Sequence, residues 1–82
     1  MVQVTYSENF KKRLSKIKDK EMIERIQKLL IKITQDPETG KPMKYARKGT
    51  REVYVGSFRL SYAFEKNQNN LILLDLYHKD EQ

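Results

Sequence analysis

An α+β domain is the fold this sequence predicts: one strand, an antiparallel helical hairpin, and a three-stranded antiparallel meander. Three observations carry it. The N-terminal "VQVTYS" alternates apolar and polar residues, two helical stripes follow between residues 8 and 35, and three β-type runs joined by short turns begin at Arg51. The hairpin must bury its stripe, and one face of the meander is the only large apolar surface on offer. A small sheet with helices on one face and the other face open follows.

In "VQVTYS", Val2, Val4 and Tyr6 point to one side and Gln3 and Thr5 to the other, as in a half-buried strand. Ser7 can cap the next helix, with Glu8 in its first turn. Phe10, Leu14 and Ile17 recur at helical spacing while Lys11, Lys12, Arg13, Lys16 and Lys18 take the other faces. Asp19 can cap a second helix with an inner stripe of Met22, Ile23, Ile26, Leu29, Leu30 and Ile33, ending before Asp36-Pro37. "DPETGKPMKYARKGT" is a loop rich in Gly, Pro and Lys. The closing strands run over about 51 to 55, 58 to 64 and 71 to 78, linked by "GS" and "KNQNN".

With 82 residues the chain makes one domain, 1–82, around a small core. Having no cysteine, it has neither a disulfide framework nor a thiolate zinc site. A single His, without Cys, does not assemble a transition-metal site, and no glycine-rich phosphate loop is present, so no cofactor is expected. There is no apolar run of membrane-spanning length and no secretion-signal pattern, which makes the cytoplasm the expected location and leaves the membrane out of the partners. Seventeen Lys and Arg against eleven Asp and Glu give +6, a balance that attracts polyanions.

Arg59 sits inside the apolar alternation of "REVYVGSFRLSYAFE". A two-residue loop at Gly56-Ser57 sets Val55 opposite Phe58, Tyr54 opposite Arg59, Val53 opposite Leu60 and Glu52 opposite Ser61. Val53, Val55, Phe58 and Leu60 then face the helices. Glu52, Tyr54, Arg59 and Ser61 share the open face, with opposed residues about 5 Å apart at Cβ. Two readings stay open: a cross-strand Glu52–Arg59 pair that steadies the hairpin, or a guanidinium fork placed for a phosphodiester beside an aromatic ring.

In "LILLDLYHKDEQ", Asp75 breaks the apolar run, which turns Ile72, Leu74 and Leu76 toward the helices. Tyr77 and Lys79 then join Arg59 on the open face, Leu71 and Leu73 lie there as apolar contacts, and His78 ends the strand. A Ser-His-Asp set drawn from Ser57 or Ser61, His78 and Asp75 lacks any surrounding nucleophile motif.

Four stretches in order, "VTYSENFKKRLSKI", "DPETGKPMKY", "REVYVGSFRLSY" and "LLDLYHKDEQ", resemble the RelE/ParE superfamily of toxin–antitoxin systems. The third is similar to the family's Glu-apolar-x-Val-Gly-x-aromatic-Arg-apolar-x-Tyr pattern, and the fourth to a last strand ending in His-Arg or His-Lys. The resemblance implies a sheet that binds RNA and, for RelE-type members, ribosome-dependent mRNA cleavage without metal. There the 2′-hydroxyl attacks the adjacent phosphate. Arg59 falls on the arginine assigned to the scissile phosphate, and His78 and Lys79 on the C-terminal basic pair. Glu52 and Tyr77 complete the candidate catalytic set, and Lys41, Lys44, Arg47, Lys48, Arg51 and Tyr54 the candidate RNA-binding set. Met43 stands where some members carry Glu, Tyr54 where relatives often carry Lys or Arg, and no Tyr follows the basic pair. The resemblance also implies an acidic antitoxin wrapping the basic face. Its other branches imply a gyrase-inhibiting toxin, or a member that only binds RNA or antitoxin.

Overall fold

The computed structural model describes residues 2–42 and 49–81. Strand β1 (Gln3–Tyr6) leads into helix α1 (Glu8–Ser15), then α2 (Lys20–Gln35), the two-residue strand β2 (Lys41–Pro42), and β3 (Thr50–Val55), β4 (Phe58–Glu65) and β5 (Asn70–His78). Short 3-10 turns follow β4 at Lys66–Gln68 and β5 at Lys79–Glu81. Both predicted caps form: the Ser7 hydroxyl accepts from the Phe10 amide at 3.0 Å and the Asp19 carboxylate from the Glu21 amide at 3.0 Å. Helix α2 stops at Gln35, before Asp36-Pro37, because the residue preceding a proline is pushed out of the helical region.

The sheet has the order β1-β5-β4-β3-β2. β3, β4 and β5 form the expected antiparallel meander, and β1 lies parallel to β5 at one edge. β2 falls inside the stretch read as loop and pairs Lys41 with Glu52. The β3–β4 register is the predicted one, turned by Gly56 at φ +59, a left-handed backbone that suits glycine.

Strand β5 departs from the sequence reading. Ser61 pairs with Asp75 but Tyr62 pairs with Leu73, so Leu74 is an extra residue on β5. Such a bulge inverts the side-chain alternation on either side of it. Leu71 and Leu73, expected on the open face, are fully buried in the core, while Ile72 and Leu74 are only partly covered. Beyond the bulge Leu76 faces the core as expected. The bulge is tied down locally: the Ser7 hydroxyl donates to the Leu74 carbonyl at 2.7 Å, and the Ser7 amide to the Leu73 carbonyl at 3.0 Å.

The core joins Phe10 of α1 and Ile26 and Ile33 of α2 to Val55, Leu60, Tyr62, Leu71, Leu73 and Leu76 of the sheet. Val2, Val4, Leu14, Ile17, Met22, Leu29 and Leu30 pack around it. No helix among the described residues is long and apolar enough to cross a membrane. Ser7 caps α1 and anchors the bulge at once, so Ser7→Ala is expected to cost about 1–2 kcal/mol. The check is a lower urea midpoint at unchanged m-value.

Candidate functional site

On the face away from the helices, two cross-strand rows lie side by side. Tyr54, Arg59 and Tyr77 form one across β3, β4 and β5, and Lys41, Glu52, Ser61 and Asp75 form the other from β2 to β5. Laterally paired residues project to the same face, so these side chains are neighbours by register alone.

Arg59 lies with its guanidinium carbon 3.8 Å from the centroid of the Tyr54 ring. This cation–π contact holds a flexible side chain flat and keeps its N–H edges available. The Glu52 carboxylate turns the other way. It accepts a hydrogen bond from the Tyr77 hydroxyl across the face, and both residues are buried, at 7% and 8% exposure. Ser61 lies between the strands they span and is buried as well. Among the described residues no ion pair joins Arg59 to Glu52. Of the two readings of the hairpin, the cross-strand salt bridge is therefore not the one formed.

The other sequence candidates separate. Lys41 is exposed and beside Glu52 in the same row. Arg51 alternates to the helix side, where its guanidinium donates to the Gly40 carbonyl at 2.8 Å and to the Glu38 carbonyl at 3.1 Å. His78 pairs with Phe58, not Arg59, and meets the Phe58 ring edge-on at 5.5 Å while its Nδ1 lies 3.4 Å from Asp80. Alternation thus puts His78 on the face opposite Arg59. Lys79 has left the strand, and its amide donates to the Ser57 carbonyl at 2.8 Å. Lys44, Arg47 and Lys48 lie outside the described residues.

The segment entering the site is clamped by Tyr62. Its hydroxyl accepts from the Gly40 amide at 2.9 Å and donates to the Pro37 carbonyl at 2.8 Å. A Cβ on Gly40 would stand 2.6 Å from that hydroxyl oxygen, so only glycine allows the approach. Burial pushes the Tyr62 phenol up from 10.0, against the smaller lowering effects of the Gly40 hydrogen bond and the Arg51 charge. The native state then holds this proton where the unfolded chain begins to release it, and stability falls as pH rises above about 10. Tyr62→Phe is expected to cost about 1–3 kcal/mol at neutral pH by leaving the Gly40 and Pro37 groups unpaired. It should also flatten the alkaline loss, which urea midpoints at about pH 8 and pH 10.5 compare.

One group of residues escaped the sequence reading. The segment from Glu8 to Gln35 carries nine Lys and Arg against four Asp and Glu, so most of the net charge resides on the hairpin. Arg25, Lys28 and Lys32 of α2 line, with Tyr54 and Val55, a cavity of about 310 Å³ beside the edge of β3. The signal was their i, i+3, i+7 spacing, which sets one cation per turn on a single stripe.

The architecture is that of solved toxin structures. It resembles a chain of the Mycobacterium tuberculosis RelBE2 toxin–antitoxin complex, with a TM-score of 0.83 at 19% identity over 94% of this chain and 96% of that one. The YoeB/ParE toxin from Agrobacterium tumefaciens gives 0.83 at 15% identity, over 94% and 98% of the two chains. The intact E. coli RelBE complex gives 0.81 at 14% identity, over 95% and 96%. At these identities the likeness establishes a RelE-like toxin fold. No curated protein matches the sequence. The family model of the ParE toxin of type II toxin–antitoxin systems, parDE, matches residues 4–82, and the chain belongs to that family.

Proposed function

We propose that the protein is a toxin that cuts mRNA on the ribosome by metal-independent attack of a 2′-hydroxyl, and so stops translation. The observation that carries this reading is the engagement of Glu52 by Tyr77 and not by Arg59. It leaves the Arg59 guanidinium stacked on Tyr54 and in no ion pair with Glu52 among the described residues, next to a carboxylate that accepts a hydrogen bond from a phenol.

Glu52 accepts the proton of the 2′-hydroxyl, whose oxygen attacks the adjacent phosphorus. Arg59 holds the non-bridging oxygens as charge builds on them. The bond to the 5′-oxygen breaks, Tyr77 gives that oxygen its proton, and Glu52 returns a proton to Tyr77. The products are a 2′,3′-cyclic phosphate and a free 5′-hydroxyl. Lys41 and Tyr54 contact the flanking nucleotides, and Lys79 adds positive charge at the end of β5. The protein works in the cytoplasm, where ribosomes are, and an acidic antitoxin covers its basic surface. Solved neighbours in complex with antitoxins, such as YoeB–YefM from Staphylococcus aureus, support that partner.

Mapping RNA 5′ ends after controlled expression tests the proposal. New ends within codons are expected for the wild type, reduced at least tenfold in Glu52→Gln and in Tyr77→Phe. A second reading is favoured by the matched family model itself: a ParE-type toxin acting on DNA gyrase. Intact mRNA together with inhibited supercoiling would select that reading and sink the nuclease.

A further inference from the structure

Two cavities run together along the edge of β3. The one of about 310 Å³ lies against Arg25, Lys28 and Lys32; the other, about 270 Å³, reaches Gly40, Lys41 and Glu52. Leu29, Lys32 and Tyr54 line both, so they form a single groove between α2 and β3. Among the described residues its apolar lining comes from Leu29, Val53 and Val55, and its charged lining is cationic except for Glu52, whose carboxylate accepts a hydrogen bond from Tyr77. The groove starts near the β3–β4 turn, where an Arg25 guanidinium nitrogen lies 3.3 Å from the Cβ position of Gly56, and ends at the candidate base. Tyr54 is the joint between groove and site: it lines the first, carries Arg59 on its ring, and remains 54% exposed.

A run of cations spaced one per turn, beside an exposed aromatic ring and an apolar floor, matches the needs of a single nucleic-acid strand. Phosphates take the charge, and a base takes the ring irrespective of its identity. An acidic peptide would use the same cations, but it has no call on a ring already carrying a guanidinium at the scissile position. We infer that the α2–β3 groove is a single-stranded RNA subsite that holds the nucleotides flanking the cleaved bond. Their phosphates lie on Arg25, Lys28 and Lys32, and one base lies against Tyr54. The inference rests on the nuclease reading for its orientation, and it names α2 as the element that sets how long a strand is gripped.

The probe is a fluorescein-labelled RNA decamer with 2′-O-methyl groups throughout, which cannot be cut, followed by anisotropy across a salt series. The exposed pair Lys28→Gln and Lys32→Gln, made together, should weaken binding roughly tenfold and reduce the slope of log K against log salt by about 1.4, two phosphate contacts at ~0.7 each. Unchanged affinity and slope in this double variant overturn the groove, and so does stronger competition from a peptide alternating Glu and Leu than from unlabelled RNA. The two proposals fail separately. Loss of binding in the double variant beside intact mRNA on expression of the wild type removes the nuclease assignment and keeps the groove. Unchanged binding beside cleavage that depends on Arg59 does the reverse. Circular dichroism of the double variant should match the wild type, because both lysines are exposed.

Discussion

Arg59→Ala is expected to lower RNA cleavage about 10²- to 10³-fold while the domain stays folded. That is the range found when one preorganised donor to a developing oxyanion is removed. The guanidinium is only partly buried, and its partner within the described residues is the Tyr54 ring at 3.8 Å. Its loss therefore costs no more than the ~0.5–1 kcal/mol of an exposed cation–π contact. Arg59→Lys separates charge from geometry. A lysine keeps the positive charge but has neither the planar stack nor the bidentate fork, so cleavage should fall to a value between wild type and alanine. Single-turnover cleavage of a ribosome-bound mRNA, with thermal melts of each variant, provides both readouts. Wild-type rates in Arg59→Ala would remove the phosphate role from the site altogether.

The largest effect on stability is expected at Leu73. It is fully buried, packed with Phe10, Ile26 and Tyr62 in one cluster, and Leu73→Ala should cost about 2–5 kcal/mol. Against a total of about 5–15 kcal/mol for a domain, that is enough to leave a visible unfolded population. Ile72→Ala, one residue away on the other face, should cost less than half as much, since Ile72 is only partly covered. Urea denaturation of the two variants tests the bulge directly. An uninterrupted strand would give the opposite ranking.

Most of the site was legible because a two-residue turn dictates register. Once Gly56-Ser57 was read as the loop, Glu52, Tyr54 and Arg59 had to share a face, and the structure has that pairing. Tyr77 also reached the expected face, since it lies beyond the bulge in the same phase as Arg59. His78 became a catalytic candidate through the resembled basic pair alone; next to Tyr77 it alternates to the other face, where its register partner is Phe58. Arg51 looked like one more cation of a basic loop, and only the folded chain shows its guanidinium held by two backbone carbonyls.

By itself the sequence determined the order of the elements other than β2, both helix caps, the hairpin register and the burial of the α1 and α2 stripes. Each of these follows from interactions between residues close in the chain, where propensity and periodicity act directly. The tertiary structure decided the rest. The bulge at Leu74 depends on Ser7, 67 positions away, which supplies a hydroxyl to the displaced carbonyl. The Glu52 carboxylate had two partners within reach, and the choice of Tyr77 over Arg59 was made by side chains reaching across strands. Such contacts are set by the three-dimensional placement of atoms distant in sequence, and no local pattern encodes them.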